Sequence, residues 1–263
     1  MSTRKVATVF LILLFGSAHL FGGTITRDFK ESYRFDGDKV NVRTVNGNIF
    51  VNSWNKSRVE VSAEIEVRAS SKSVARDFMD KVEIVVRERG DELVIKVEHP
   101  EQQGGGFIDW FFGAGKPSVS VDFWLNVPEN KDVEGSSVNG NVEVIGIAGN
   151  VILSTTNGKI VAEDINGPVD ASTTNGSISV EIRSDELGDD IKLHTVNGSI
   201  KLTLDDDIQA DVDISTVNGS IHTDFPLEVE GKWGPKSVSG EVNGGGSLID
   251  LETVNGSVSI LER

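Results

Sequence analysis

The sequence predicts an all-β chain: a right-handed parallel β-helix, or β-solenoid, with Asn-Gly coils of about 20 residues and a small α/β excursion near the N-terminus. Three observations lead there. A corner pattern, Ser/Thr then Thr/Val then Asn-Gly, is written seven times, centred on Asn46-Gly47, Asn139-Gly140, Asn157-Gly158, Asn175-Gly176, Asn197-Gly198, Asn218-Gly219 and Asn255-Gly256. From Asn139 to Asn218 the intervals are 18, 18, 22 and 21 residues, a period that stacked coils keep while tolerating small insertions. After each corner apolar side chains alternate, as in Ile178, Val180 and Ile182 or Ile200, Leu202 and Leu204, which turns one face inward.

Asn-Gly between strands is also a hairpin signal, because both residues accept positive φ. An antiparallel β-meander or sandwich is therefore the competing architecture. The near-identity of the flanking residues favours the stack. In parallel coils equivalent corners lie about 4.8 Å apart, and identical side chains can hydrogen-bond in a ladder. Each Asn is then a rung of that ladder and each Gly permits the bend. On this reading the Asn-Gly-Ser sequons at 175, 197, 218 and 255 are structural, with amides poorly accessible to glycosylation.

Taken in chain order, residues 1–18 read as a secretory signal peptide. Arg4 and Lys5 precede an apolar run from Val6 to Phe15, and Gly16-Ser17-Ala18 suits signal peptidase; cleavage could extend to 23. The apolar run is too short to span a bilayer. Residues 24–263 then form a single solenoid domain, exported to the periplasm or the cell exterior without a stable membrane anchor. The first corner, in "TVNGNIFV", precedes the excursion at 56–133, where "RVEVSAEIEVRA" and "KVEIVVRERGDELVIKVEH" alternate as strands. Between them Val74, Phe78 and Val82 with Ala75 and Met79 make a helical stripe behind a serine cap, a pattern expected to pack on the core. "EQQGGGFIDWFFGAGKP" at 101–117 gathers Phe107, Ile108, Trp110, Phe111 and Phe112 in a chain otherwise poor in aromatics. This segment reads either as a cap over a solenoid end or as an exposed partner patch. The regular repeat block, 134–263, follows.

Charge and motifs narrow the function. The formal charge is −16, and loss of Arg4 and Lys5 with the signal takes it to −18, a surface that repels nucleic acid. The chain has no cysteine, so neither disulfides nor thiolate chemistry is available. His99, His194 and His222 are far apart and lack ligand spacing, which predicts no metal site and no cofactor. Gly188-Asp189-Asp190 resembles one polygalacturonase motif, but the companion Gly-His-Gly and Arg-Ile-Lys motifs are missing. "LDDDIQAD" at 204–211 reads as an acidic turn and lacks the calcium-binding nonapeptide. No catalytic residues are expected.

The signal peptide, the "TVNGNIFVNSW" opening, "VSVDFWLNVPEN" before the repeats and the closing "ETVNGSVSI" together resemble a bacterial family of unknown function. This is the DUF4097-like group of secreted β-solenoid proteins, which carries an adhesin label. The resemblance covers essentially the whole mature chain and implies a surface or envelope protein with no catalytic residues to transfer. The expected function is a non-catalytic, adhesin-like binding or structural surface at the cell envelope, its partner an envelope protein or a glycan. A carbohydrate-active β-helix enzyme and an envelope sensing or assembly factor are the alternatives.

Overall fold

The computed structural model describes residues 23–98, 117–183, 188–227 and 236–263. The signal segment and the 107–112 aromatic cluster lie outside the described residues. In chain order, β1 (Gly23–Tyr33) leads to β2 (Lys39–Arg43) and β3 (Ile49–Trp54), which flank the first corner. Then come β4 (Val59–Ala69), helix α1 (Lys72–Met79), the hairpin β5 (Glu83–Arg89) and β6 (Glu92–Glu98), and β7 (Ser118–Pro128). Four coils follow: β8 (Asp132–Asn139) with β9 (Val142–Ile145), β10 (Val151–Asn157) with β11 (Ile160–Ile165), β12 (Val169–Asn175) with β13 (Ile178–Ile182), and β14 (Ile191–Asn197) with β15 (Ile200–Leu204). The chain closes with β16 (Ala210–Asn218), β17 (Ile221–Thr223), β18 (Lys236–Val242), β19 (Ser247–Asn255) and β20 (Val258–Glu262).

These strands form two ten-stranded sheets. The front sheet runs β1-β4-β7-β3-β9-β11-β13-β15-β20-β17 and the back sheet β18-β16-β19-β14-β12-β10-β8-β2-β6-β5. Each coil contributes one strand to each, and neighbouring coils pair in parallel, as in Val151↔Val169 and Ile160↔Ile178. The stack, rather than the meander, is therefore the architecture, and antiparallel pairing is confined to the ends. The alternation seen in sequence fills the space between the sheets. Leu153, Ile160, Ile178, Leu193 and Leu202 are at most 1% exposed, each contributing about 1.5–3 kcal/mol of transfer free energy.

Each corner position has its own physical reason. The Ser/Thr is buried, and its hydroxyl donates to the glycine carbonyl of the preceding rung: Ser137 to Gly47, Thr155 to Gly140 and Thr195 to Gly176 at 2.9 Å, Thr173 to Gly158 at 3.1 Å. A carbonyl that the strand ladder does not use thus finds a partner. In the central rungs the next residue faces solvent, so Val and Thr interchange there; Val196 and Val217 are 42% and 43% exposed, whereas Val45 at the first corner is buried. The Asn amides bond in one continuous column, each Nδ2 donating to the next Oδ1 at 2.8–2.9 Å.

Glycine is required for a reason other than the bend. Among the corner glycines only Gly47 has a positive φ, 133°. At Gly158, Gly176 and Gly198 a Cβ would instead lie 1.8–2.0 Å from the glycine carbonyl oxygen one rung away. Close backbone approach between rungs selects glycine here. The Asn column also differs from expectation in accessibility. Asn175, Asn197, Asn218 and Asn255 are exposed, because their mutual bonds run along the stack and leave the outer edge of each amide to water. Replacing Asn175 by Ala removes the bonds to Asn157 (2.8 Å) and from Asn197 (2.9 Å). We expect a loss of about 1–2 kcal/mol in urea unfolding, and an unchanged midpoint would refute the ladder's contribution.

The rungs are not stacked in the order in which they are written. Asn218 donates to Asn255, and Asn255 to Asn197. The coil β19–β20, last in sequence, is inserted between β14–β15 and β16–β17. The first corner, by contrast, stacks directly on the second across more than ninety residues, with Asn139 Nδ2 donating to Asn46 Oδ1 at 2.8 Å.

The excursion widens the N-terminal end of the stack. β7 and β6 each pair in parallel with the first coil; β4 and β1 continue the front sheet antiparallel, and β5 the back sheet. Helix α1 is capped by Ser71, whose side chain accepts from the Val74 amide, and packs on β1 and β4. Ala75, Met79 and Val82 are buried, Phe78 is partly so, and Val74 is 40% exposed. Val74 thus leaves the expected stripe, since an eight-residue helix lying on one sheet edge buries only part of its apolar arc.

Candidate binding face

The Asn and Gly residues singled out in the sequence come together as one column, whose bonds tie the Asn amides to one another and the glycine carbonyls to the Ser/Thr hydroxyls. Function must be sought where the repeat is interrupted. Because side chains alternate along a strand, Phe50, Asn52 and Trp54 of β3 all point outward from the front sheet. Register sets them beside Trp124, Asn126 and Pro128 of β7, which lie some seventy residues further along the chain. The Phe50 and Trp124 rings stack with centroids 5.8 Å apart and planes 13° from parallel, and Trp124 is 43% exposed. Asn52 is exposed, and Asn126 Nδ2 donates to Glu60 Oε1 at 3.3 Å. Trp54 ends the strip, its indole N–H donating to the Arg58 carbonyl at 2.8 Å.

The sheet order explains what borders this strip. β3 is followed in sequence by β4, yet β7 lies between them in the sheet. Residues 55–58 must therefore pass over the end of β7, where Pro128 is buried. The crossing brings Asn55, Lys56, Ser57 and Arg58 beside Ser32 and Arg34 at the end of β1, around an open depression of about 670 Å³. Lys56 Nζ lies 4.3 Å from the Trp54 ring centre and Arg58 Cζ 5.8 Å from it, within cation–π range.

The acidic segments do structural work. Asp190 accepts from the Leu248 amide at 3.1 Å and pairs with Lys192 at 3.1 Å; the Lys192 hydrogen bond holds its carboxyl below the usual range. Asp205 accepts from Arg263 Nε at 2.7 Å. On the back sheet, hydrogen bonding from Lys96 lowers the Glu98 carboxyl, with Arg87 assisting. His194 faces Asp250 and Glu252 at 3.7 and 3.5 Å, and His222 faces Asp224 at 3.2 Å. Among the described residues, no group of three or more such side chains is placed to hold a metal ion, and no helix is long and apolar enough to cross a membrane.

This face is not visible along the sequence because its members lie on two distant strands. The available signal was parity, with aromatics at the outward positions 50, 54 and 124 of strands whose inward positions carry the core.

Comparison with known proteins adds a family. Residues 30–261 match the family model described as Toastrack DUF4097. No curated protein matches the chain. Similar solved structures include a candidate cell-adhesion protein from Clostridium sporogenes, with 13% identity over 90% of this chain and 100% of that one and a TM-score of 0.48. A candidate adhesin from Bacteroides fragilis has 12% identity, coverage of 90% and 97%, and a TM-score of 0.35. A candidate lipid-binding protein from Parabacteroides distasonis has 14% identity, coverage of 92% and 96%, and a TM-score of 0.32.

Proposed function

Because the chain belongs to the Toastrack DUF4097 family, we propose that it is a non-catalytic, adhesin-like binding protein of the cell envelope, and that it captures glycans on the β3–β7 strip. The observation that carries this reading is the exposed Trp124 stacked on Phe50 in line with Trp54. Flat aromatic faces present a large apolar area at low entropic cost, and the C–H face of a sugar ring can lie against them. The adjoining Asn52 and Asn126 amides offer both donors and acceptors to sugar hydroxyls.

The test compares wild type with Trp124→Ala on an array of neutral and acidic oligosaccharides and in pull-downs of bacterial envelope fractions. We expect the variant to bind roughly thirtyfold more weakly, the effect of losing a hot-spot aromatic contribution of about 2 kcal/mol. The exposed side chain should leave the unfolding midpoint nearly unchanged. A stable Trp124→Ala protein with undiminished binding would remove the strip from consideration.

A further inference from the structure

The depression beside the strip is cationic in a chain of formal charge −16. Its lining comprises Arg34, Lys56 and Arg58 with Ser32, Asn55 and Ser57, and includes no carboxylate. Many cations elsewhere are matched to acids, as Arg43 and Lys39 are to Glu134, Arg87 and Lys96 to Glu98, Lys192 to Asp190 and Arg263 to Asp205; what sets the depression apart is that three cations line one hollow. Arg34, Lys56 and Arg58 have no carboxylate partner among the described residues; Lys56 and Arg58 are instead oriented by Trp54.

We propose that this depression is an anion site, taking a carboxylate, sulfate or phosphate substituent of a glycan seated on the aromatic strip. The inference rests on the glycan-binding reading and gives it charge selectivity. Three cations around one depression, with two hydroxyls and an amide, offer donors to the acceptor oxygens of such a group, and hydrogen bonds to ionised groups are the stronger kind. Trp54 ends the strip and lies against Lys56 and Arg58 of the depression, so a sugar held at that end would direct its acidic substituent at those two cations. An anionic bilayer is a poorer fit. The front sheet beside the site presents Asp28, Glu60, Glu64 and Glu66 outward on β1 and β4, with only Lys30 and Arg68 to offset them; this net negative face would oppose a flat negative surface but not a single chain entering from the strip.

Three probes test this by titration calorimetry and by the Trp54 indole and arginine Nε–H NMR signals. They are inorganic sulfate against chloride at matched ionic strength, an oligogalacturonate against the neutral galactan of equal length, and phosphatidylcholine vesicles with and without phosphatidylglycerol. The expected result is saturable sulfate-dependent shifts at Trp54, Arg34 and Arg58. Binding of the acidic oligosaccharide should be about tenfold tighter than that of the neutral one, with no vesicle binding. The triple variant Arg34→Gln, Lys56→Gln, Arg58→Gln should abolish the sulfate shifts and the acidic preference while keeping neutral-sugar binding. Trp124→Ala should weaken both sugars and leave the sulfate shifts intact. Sulfate binding without binding of either sugar would sink the glycan reading and leave an anion site alone. Equal affinity for the two sugars, an acidic preference that survives the triple variant, or pocket-dependent binding to the anionic vesicles would overturn the proposal.

Discussion

Gly198→Ala is expected to cost at least about 3 kcal/mol and to broaden or abolish cooperative unfolding. The added Cβ would lie 1.8 Å from the Gly176 carbonyl oxygen and 2.4 Å from its carbon. Neither atom is free to retreat. That oxygen accepts from Thr195 at 2.9 Å, and the Gly176 amide donates to the Asn197 carbonyl at 3.0 Å. The methyl group must therefore separate two rungs, opening the Asn and Thr columns and the packing of Ile178 and Ile200 together. Gly188→Ala is the control, since its Cβ would meet nothing within 4 Å, and a change within about 0.5 kcal/mol is expected there. Equal denaturation midpoints for the two variants would show that stacking distance does not select the glycine.

Phe123→Ala should destabilise by about 3–5 kcal/mol, the usual cost of emptying a buried phenylalanine site. Phe123 is fully buried and occupies the junction where the parallel stack becomes antiparallel. In register it meets Ile49 on one side and Ala63 on the other, and its amide donates to the Asn48 carbonyl at 2.9 Å. A cavity there lies on the inner side of the strand, at the residue next to Trp124, so ligand capture should weaken along with stability. Phe123→Leu keeps most of the volume and should recover most of both. Chemical denaturation and array binding on the three proteins check this, and full binding by a strongly destabilised Phe123→Ala would separate the face from its support.

These expectations show what could be read from residues alone. The corner was legible because each of its positions answers to a short-range need repeated every coil: a buried hydroxyl, a solvent position, an amide and a missing Cβ. The reason for the glycine was not legible, since Asn-Gly is written identically whether positive φ or close approach demands it. The strip and the cationic depression were illegible for another reason. They depend on β7 lying between β3 and β4, a long-range pairing that brings Trp124 to Phe50 and carries Lys56 and Arg58 across to Arg34. Nor could the residues reveal the order of the last rungs. Val212, Ile214, Thr216 and Asn218 have the same pattern as Ile249, Leu251, Thr253 and Asn255, so local chemistry does not distinguish the two positions.

That interchangeability bears on how the chain reaches its native state. During synthesis β16 emerges before β19, and the open edge of β14 offers it the same alternation and the same Asn acceptor that β19 will later claim. An early, locally satisfied docking of 210–218 on 191–197 is thus a competitor built into the repeat. Were that docking to form, it would have to be vacated before the late coil could take its place. In the finished molecule the five-residue connection at 205–209 spans two rungs. The regularity that stabilises the column thus leaves two near-identical segments to compete for one edge.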